Sequence, residues 1–545
     1  MSAVLTNNLP LLAGAPNGIK KLRELILELA VRGKLVPQDP SDEPASELLK
    51  RIAEEKARSV VAGKKVKQQA DINDKEQPFS VPQGWSWVRL GSCLEMINGR
   101  AFKPTEWIAA GLPIVRIQNL NKPDAPFNYC DPDTVDDRHV IDTGTILISW
   151  SGTPGTSFGA FIWERGKAAL NQHIFSCSQV GDAFFDKFLK LAINTRLEEL
   201  IAKAHGGVGL QHVTKGKLEA LTLVLPPLAE QHRIVAKVDE LMDLCDRLEA
   251  RQADAESAHA QLVQALLDSL TLARDAGDFA QSWQRLAEHF HTLFTTESSI
   301  DSLKQTLLQL AVMGKLVPQD PSDEPASELL KRISQEKAQA AMLGRGRKVK
   351  ATTDLRVPDM KVTVPSGWSV STVGEVTICR DGERVPVSQS EREGRAKTYD
   401  YYGASGVIDK IDGYLFEKPL LLVGEDGANL INRSTPIAFM ARGKYWVNNH
   451  AHVLDGMSES LLLYVQLYFN AIDLKPYVTG TAQPKMNQAK MNSIVLLLPP
   501  EAEQHRIVAK VDQLMALCDQ LKARLNQARQ VHEHLASALV EQAVA

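Results

Sequence analysis

GKLVPQDPSDEPASELLKRI, Gly33 to Ile52, occurs again at Gly314 to Ile333, identical at all twenty positions and 281 residues further on. A second stretch, AEQHRIVAKVD, runs from Ala229 to Asp239 and returns at Ala502 to Asp512, 273 residues on. Between the copies the chain has diverged: residues 81–225 and 364–498 share only scattered positions. The chain is therefore a tandem duplication in which a helical frame stayed fixed while its inserts drifted apart. A period this long is too large for a solenoid, so each copy is a domain with its connector. A constant frame holding two different inserts suggests one protein that reads two different things at a set separation.

Outward from the first repeat, Ile19, Leu22, Ile26 and Leu29 recur at three- and four-residue steps, the stripe of an amphipathic helix. Gly33 ends it as a C-terminal cap, and Pro37 and Pro40 block its continuation. A second helix starts near Pro44, a residue tolerated in a first turn. It runs to about Ala57, with Glu47 and Arg51 at the i, i+4 spacing of a supporting pair. The second copy repeats this with Ile300, Leu303, Leu307 and Leu310, then Gly314, Pro318, Pro321 and Pro325. Polar stretches follow, Arg58–Gln77 with Lys64, Lys65 and Lys67, and Gln339–Lys361 with Arg345, Arg347, Lys348 and Lys350. They read as mobile, solvated linkers, with contact to a DNA backbone as the alternative for their basic runs.

Both inserts open alike, Val81-Pro82-Gln83-Gly84-Trp85 and Val364-Pro365-Ser366-Gly367-Trp368. Both hold an apolar run before a glycine, Thr145–Trp150 and Pro419–Val423, and both close on an apolar strand, Leu221–Leu225 and Ile494–Leu498, ending in Pro-Pro. Short strands between glycine and proline turns, with helices near Phe184–Lys203 and Ser458–Asn470, indicate mixed α/β domains. A long helix follows each Pro-Pro. In the second copy Ile507, Val511, Leu514, Cys518, Leu521, Leu525, Ala528, His532, Leu535 and Leu539 keep a four–three spacing. In the first, Ile234, Val238, Leu241, Cys245 and Leu248 match it, and the stripe weakens at Gln252 and recovers at Leu262 and Leu266. Sustained four–three spacing implies a coiled-coil seam. Two such helices in one chain most simply pair with each other, as a rod of roughly 60 Å at about 1.5 Å per residue. Residues 271–299 have no counterpart after the second copy, and Trp283, Leu286, Phe290 and Leu293 predict a bridging helix there.

Bulk properties exclude several classes. The composition, 44% hydrophobic and 23% charged over 545 residues, is that of a globular chain with room for three or four domains. A net charge of −4 gives no global basic signal for nucleic acid, although a local patch or a basic partner can supply phosphate affinity. The six cysteines form no CxxC pair, so neither a disulfide framework nor a zinc pattern emerges. Cys245 and Cys518, at equivalent helical positions, read as small hydrophobes. There is no signal-peptide pattern and no apolar run of membrane-spanning length, so a cytoplasmic protein without a membrane partner is expected.

Catalytic motifs are missing too. The chain lacks an Asn/Asp-Pro-Pro-Phe/Tyr tetrapeptide, an FxGxG-like opening and a phosphate-binding GxxxxGK[ST] loop. Glu54-Glu55-Lys56 matches part of a nuclease motif but sits on a helix without the supporting strand. His232 and His505 open repeated helices with no convergent ligands. No catalytic or metal residue is assigned.

The inserts instead carry side chains suited to base edges and phosphates. In the first these are Asn98, Arg100, Lys103, Arg116, Gln118, Asn119, Ser151, Thr153, Thr156, Ser157, Asn171, Gln172, His173, Gln211, His212 and Lys215. In the second they are Arg380, Arg384, Tyr401, Ser405, Asn429, Asn432, Arg433, Asn448, Asn449, His450, Thr481, Gln483, Lys485 and Asn487. Arginine pairs with guanine, asparagine or glutamine with adenine, and lysine and hydroxyls with phosphate. Taken one at a time, each is more simply a loop polar residue, and about a third are expected to touch DNA, since most protein–DNA hydrogen bonds go to the backbone.

At this point the chain resembles the specificity subunits of Type I restriction–modification enzymes. The resemblance is carried by the duplicated segments from Leu29 and Leu310 and from Leu225 and Leu498, and by Ser149-Trp150-Ser151-Gly152, Gly424-Glu425-Asp426-Gly427 and Thr481-Ala482-Gln483-Pro484. It covers nearly the whole chain. It implies an α+β protein: two mixed α/β target-recognition domains joined by long antiparallel coiled-coil helices, an internal tandem duplication with pseudo-two-fold symmetry. The expected segments are a helical frame and linker at 1–80, recognition domains at 81–225 and 364–498, a long helix and bridge at 226–299, the repeated frame at 300–363 and a final helix at 499–545.

In function, the resemblance implies that each domain reads half of a bipartite, asymmetric site in double-stranded DNA while the helices set the unread spacer. Two methyltransferase subunits bind such a chain and methylate adenine with S-adenosylmethionine, and ATP- and Mg2+-dependent restriction and translocase subunits join the complex. No cofactor is expected in this chain. The implied docking surface is the exposed face of the repeated segments, with Glu230, His232, Arg233, Lys237, Glu503, His505, Arg506 and Lys510, unless these only cap and solubilise the helices. A duplicated frame lets two identical partners dock equivalently, and modules reading one side of DNA should lie about 34–36 Å apart. A free-standing bipartite DNA-binding regulator and a coiled-coil adaptor that binds no DNA are the alternatives. The acidic balance speaks against the first, and salt-dependent DNA affinity would speak against the second.

Overall fold

A computed structural model describes residues 11–61, 70–122, 124–150, 158–203, 214–342, 364–480 and 483–544. The chain forms two compact units, Met1–Asp254 with Arg529–Ala545, and Ala255–Ala528.

In the first unit the repeated segment folds as helices Gly18–Val31 and Ala45–Val61 around the turn at Gly33. Gly33 adopts φ +69°, and a Cβ there would lie 2.4 Å from Pro82 Cγ. The residue therefore must both enter the left-handed region and admit the Val81–Trp85 segment. Gly314 in the second unit does the same, with φ +70° and Pro365 Cγ at 2.5 Å. The Glu47–Arg51 pair is replaced: Glu47 bonds Lys50 at 2.7 Å and Arg51 reaches back to Glu43 at 2.8 Å. A carboxylate before the helix start lets the guanidinium bind it bidentately, which an i, i+4 neighbour does not offer here.

The divergent inserts share one topology. In the first, Leu94–Asn98, Ile174–Gln179, Ile146–Ser149 and Gly159–Ile162 form an antiparallel sheet in that order. In the second, Ile378–Cys379, Ala451–Asp455, Leu420–Gly424 and Ala438–Ala441 repeat the order and sense. A second sheet in each pairs a central strand antiparallel to one neighbour and parallel to the other. In the first insert Leu112–Val115 lies between Asn128–Cys130 and Ala168–Leu170. In the second, Tyr399–Gly403 lies between Gly406–Ile411 and Tyr445–Val447. Val140–Ile141 adds an edge strand to the first. Helices Asp186–Lys203 and Glu459–Ala471 follow, burying Phe188, Leu189 and Ile193, and Leu461, Val465 and Phe469. Each insert is closed by a two-stranded ladder of its first and last strands, Ser86–Arg89 with Thr222–Leu225 and Ser369–Thr372 with Val495–Leu498.

Part of the first polar stretch is ordered. The buried Arg89 guanidinium donates to the carbonyls of Ala70 (2.7 Å), Asp71 (2.9 Å) and Ala220 (3.0 Å) and pairs with Glu76. Residues 70–77 are therefore pinned, not a mobile linker. Lys64, Lys65 and Lys67, and Arg345, Arg347, Lys348 and Lys350, lie outside the described residues.

The long helices are Leu228–Thr271 and Glu501–Val544, and each contributes to both units. In the first unit Leu241 and Cys245 share a core with Leu22, Ile26 and Ala536. In the second, Val263, Leu267 and Leu270 share one with Leu303, Leu307 and Cys518. The expected stripe shifts by one residue where each helix passes from one unit to the other. Leu262 is 54% exposed while Val263 and Leu267 are buried, and Leu535 is 51% exposed while Ala536 is buried. Ala528 is exposed as well. A straight helix drifts about 20° per heptad from a 3.5-residue repeat, so a buried line cannot hold one heptad phase over such a length. The bridge consists of Ala276–Glu288 and Phe290–Leu293, with Leu286 and Leu293 in the second unit's core and Trp283 and Phe290 partly exposed. Cys245 and Cys518 are buried, as small hydrophobes would be. No helix among the described residues is long and apolar enough to cross a membrane.

Candidate nucleic-acid interface

In the first insert, strands Leu94–Asn98 and Ile146–Ser149 end where Ile174–Gln179 begins, and polar side chains gather at that end. Trp150 donates to Asn98 Oδ1 at 3.3 Å and packs its ring 5.3 Å from His173. Gln172, exposed, lies 3.2 Å from His173 Nε2. Arg100 bridges Asn171 through the backbone, covers Phe102 at 4.3 Å and pairs with Glu106. The Asn171 N–H donates to Val115 O at 3.1 Å, which brings in the neighbouring Arg116. Lys215 Nζ donates to Met96 O at 2.8 Å. Lys103 and Gln118 are exposed on adjoining connections. Asn119 is buried, donating to Ala125 O at 3.1 Å while its own carboxamide oxygen accepts from the Arg116 N–H. It shapes the loop and is not presented to a ligand. Ser151, Thr153, Thr156, Ser157, Gln211 and His212 lie outside the described residues.

The second insert builds its cluster at the same sheet end, where Leu420–Gly424 stops and Ala451–Asp455 starts. The Asn448 N–H donates to Tyr402 O at 3.1 Å, the counterpart of the Asn171 bond. Asn171-Gln172-His173 and Asn448-Asn449-His450 thus hold one position in one topology. Asn449 is exposed, and His450 Nδ1 lies 2.7 Å from Asp426 Oδ2. Exposed Gln483, Lys485 and Asn487 follow on an adjoining strip, Lys485 pairing with Glu425 at 3.2 Å and Asn487 capping the turn at Lys490. Ser405 is exposed on the neighbouring hairpin. Thr481 lies outside the described residues.

Five candidates here serve the fold. Asn448 is buried, its Oδ1 accepting from the His450 N–H at 2.8 Å. The Tyr401 hydroxyl is spent on Val387, accepting from its N–H at 3.0 Å and donating to its carbonyl at 3.1 Å. Arg433 caps the helix Glu459–Ala471 through the carbonyls of Phe469 and Ile472. Arg384 is bound by Glu425 at 2.8 Å and Ala451 O at 2.6 Å. Asn429 holds its turn, accepting from the Thr435 N–H at 3.0 Å. Composition alone marked them because it does not tell a buried polar group with partners from an exposed one. Arg380 pairs with Asp455 and Glu383, and Asn432 is exposed on the short helix beside Arg433.

Asp381, Glu425 and His452 bring ligand-type atoms within 4.8 Å of one another, but the carboxylates there already pair with Arg384 and Lys485. Burial opposes ionisation of Asp381, yet its hydrogen bond to His452 holds it below the usual carboxylate range. Burial likewise opposes ionisation of Glu425, and Arg384, His452 and Lys485 together prevail. The group is a closed ion cluster at the base of the polar surface. Sequence reading named Trp150 and Asp426 within motifs but not among the candidates, and did not set Asn171-Gln172-His173 beside Asn448-Asn449-His450 as one repeat; that repeat was visible as two short words before apolar strands.

The frame residues proposed as a docking face divide. Glu230 and Glu503 are not on it: both are 1% exposed. Glu230 accepts from Trp85 Nε1 at 2.9 Å and Gln38 Nε2 at 3.1 Å, and Glu503 accepts from Trp368 at 2.9 Å and Gln319 at 3.3 Å. Arg233 and Arg506 tie their helices to Asp42 and Asp323, each with one bond of 2.6 Å. His232 stacks on Phe185 at 4.1 Å. His232, His505 and Lys510 are exposed, and Lys237 is partly so, paired with Glu240. Burial raises the pKa of both glutamates against the pull of their tryptophan partners. The sign follows: ionisation costs the fold, so this contribution is absent below the unfolded carboxylate range and unfavourable above the raised folded value. Comparing wild type with Glu503→Gln across pH 4–8 by denaturant titration, the stability of wild type relative to the variant should fall as pH rises through that window. A difference that grows with pH would contradict it.

The model of the Type I restriction modification DNA specificity domain matches residues 82–256 and 365–529. The Type I restriction enzyme EcoAI specificity subunit of Escherichia coli is 35% identical over 97% of this chain and 94% of its own length. The EcoEI specificity subunit of the same organism is 34% identical over the same shares. A crystal structure of the HsdS subunit from Thermoanaerobacter tengcongensis is matched over 86% of this chain and 99% of its own, at 18% identity and a TM-score of 0.42.

Proposed function

Given that this chain belongs to the Type I restriction–modification DNA specificity family, we propose that its two inserts, within 81–225 and 364–498, each read one half of a bipartite, asymmetric DNA site. The chain acts as the DNA-recognition subunit of a Type I complex, and its partners are DNA and the other subunits of that complex. The observation that carries the half-site reading is the polar cluster built twice at the same sheet end with different side chains. Arg100, Arg116, Gln172 and His173 line one, and Asn449, His450, Gln483 and Lys485 the other. Arginine, asparagine and glutamine can each bind a base edge bidentately, so different residues on one scaffold give different half-sites.

In this reading the long helices pair antiparallel as a coiled coil about a pseudo-two-fold axis and set the unread spacer. The shared cores of Leu241 and Cys245 with Ala536, and of Val263 and Leu267 with Cys518, support it. Two methyltransferase subunits dock on equivalent faces that include His232, Lys237, His505 and Lys510. S-adenosylmethionine, ATP and Mg2+ belong to partner subunits, with restriction and translocase subunits added through the complex. At a net charge of −4, much of the phosphate affinity comes from those partners. The test is adenine methylation mapped genome-wide with and without this gene. Loss of methylation at one split motif is expected. An unchanged map from cells in which the chain co-purifies with a methyltransferase would overturn the reading.

A further inference from the structure

We propose that Ile408 is a specificity-determining residue of the second insert, and that it reads the C5-methyl group of a thymine in that insert's half-site. The inference deepens the half-site reading above and rests on it.

The hairpin Tyr399–Gly403/Gly406–Ile411 is not regular. Tyr401 faces Asp409, but Tyr402 faces Val407, so Ile408 is an extra residue with no cross-strand partner. Two residues opposite one make a β-bulge, which bends the strand and re-aims its side chains. Here the bulged strand is the edge of its sheet among the described residues. The residue it re-aims meets a glycine. A Cβ on Gly403 would lie 3.0 Å from Ile408 Cδ1 and 3.1 Å from Cγ2, and 3.5 Å from Asn448 Nδ2. Ile408 therefore lies across the bare backbone of Gly403, beside the first residue of Asn448-Asn449-His450.

Ile408 is 54% exposed and Val407 49%. A single exposed aliphatic needs no explanation. An exposed aliphatic delivered by a bulge over a glycine, against the loop Asn448-Asn449-His450 that has its counterpart in the first insert, has a built position. The first insert treats this place differently. Its corresponding connection, between Leu112–Val115 and Asn128–Cys130, is long and carries Arg116 and exposed Gln118. The second insert turns in two residues, Ala404 and Ser405, and offers aliphatic carbon instead. On the floor of the major groove, the apolar feature that tells one base pair from another is the thymine methyl, so an aliphatic reader at this position selects thymine.

The test uses this chain in complex with its methyltransferase subunits and a duplex carrying the methylated bipartite site. Each thymine of the second half-site is replaced in turn by deoxyuridine, which lacks only the methyl group. One position should weaken wild-type binding about fourfold, the worth of one buried methyl. Ile408→Ala should bind the thymine and uracil duplexes equally at that position. Gly403→Ala, which shifts Ile408 by a few tenths of an ångström without removing it, should weaken the same discrimination. Both variants should keep their response to substitutions in the first half-site, which reports an intact complex. A second half-site without thymine, no methyl-sensitive position, or undiminished sensitivity in Ile408→Ala would overturn the proposal. A complex that binds no bipartite site would instead overturn the functional reading beneath it.

Discussion

Removing one heptad from each long helix, Arg251–Ser257 together with Leu525–Val531, is expected to abolish methylation at the native spacer while both recognition domains remain folded. The first deletion falls within residues 249–258, all of them exposed, so it takes no side chain from a core. The second removes two partly buried residues, Asn526 and Leu525, the latter packed against the hydrophobic cluster, a modest local cost. Seven helical residues span about 10.5 Å, close to three base pairs at about 3.4 Å per pair. The helix loses nearly whole turns, about 20° short of two, so its two ends keep roughly their relative facing. The DNA does not: three base pairs is over a quarter of its turn at about 10.5 base pairs per turn. One half-site therefore leaves its domain in both distance and rotation. Specific binding should fall toward the non-specific level, a loss of about a thousandfold or more. Methylation mapping and a titration with duplexes of graded spacer length measure it, and an unchanged spacer preference would sink the ruler.

The second large effect is on stability. Trp368→Ala is expected to destabilise the second unit by about 3–5 kcal/mol. The indole is buried, meets Tyr464 edge-on at 6.3 Å and closes over Gly314. Its N–H donates to the buried Glu503, which would keep only the longer bond from Gln319, and the lost donor accounts for about 1–3 kcal/mol of that cost. Trp368→Phe separates the contributions: it keeps most of the volume and loses the donor, so it should cost less than half as much. Denaturant unfolding followed by a probe in the second insert decides. A loss below about 1 kcal/mol would mean that Gly314 and Pro365 close the gap without the ring.

The frame was legible because its signals are local and doubled. Gly33 and Gly314 stop helices at the positions their sequence implies, the strand Ile146–Ser149 lies inside the apolar run that announced it, and Leu420–Gly424 overlaps its run and ends one residue beyond it. The phase of the long helices was not legible past Leu248 and Leu525. A four–three pattern records that apolar residues recur; it does not record that the helix changes neighbours and shifts Leu262 for Val263 and Leu535 for Ala536. The candidate surface was half legible. Gln172, Asn449 and Gln483 are exposed, as a ligand contact requires, whereas Tyr401, Arg433 and Arg384 serve the interior, because a polar side chain carries no mark of its own burial. The common topology of the inserts was hidden by divergence, since a strand requires only alternation and bounding turns. Ile408 was invisible for a related reason: a bulge is a property of two strands in register, and one strand's sequence does not contain it.

The ladders Ser86–Arg89 with Thr222–Leu225 and Ser369–Thr372 with Val495–Leu498 bear on how such a chain changes over generations. Each brings the point where the chain leaves the frame beside the point where it returns. The frame therefore receives an insert through a pair of adjacent strand ends, and touches it again where Phe185 stacks on His232 and where Gln305 donates to the carbonyls of Asn470 and Ala471; closure entropy grows only by about 0.6 kcal/mol for each doubling of the enclosed length. An insert of different length or composition that presents the same two strand ends, and keeps the residues that face the frame helices, can be grafted in without disturbing them. The molecule is, in effect, a socket with two interchangeable fittings, and a single recombination within the repeats would exchange one fitting and leave the other as it was.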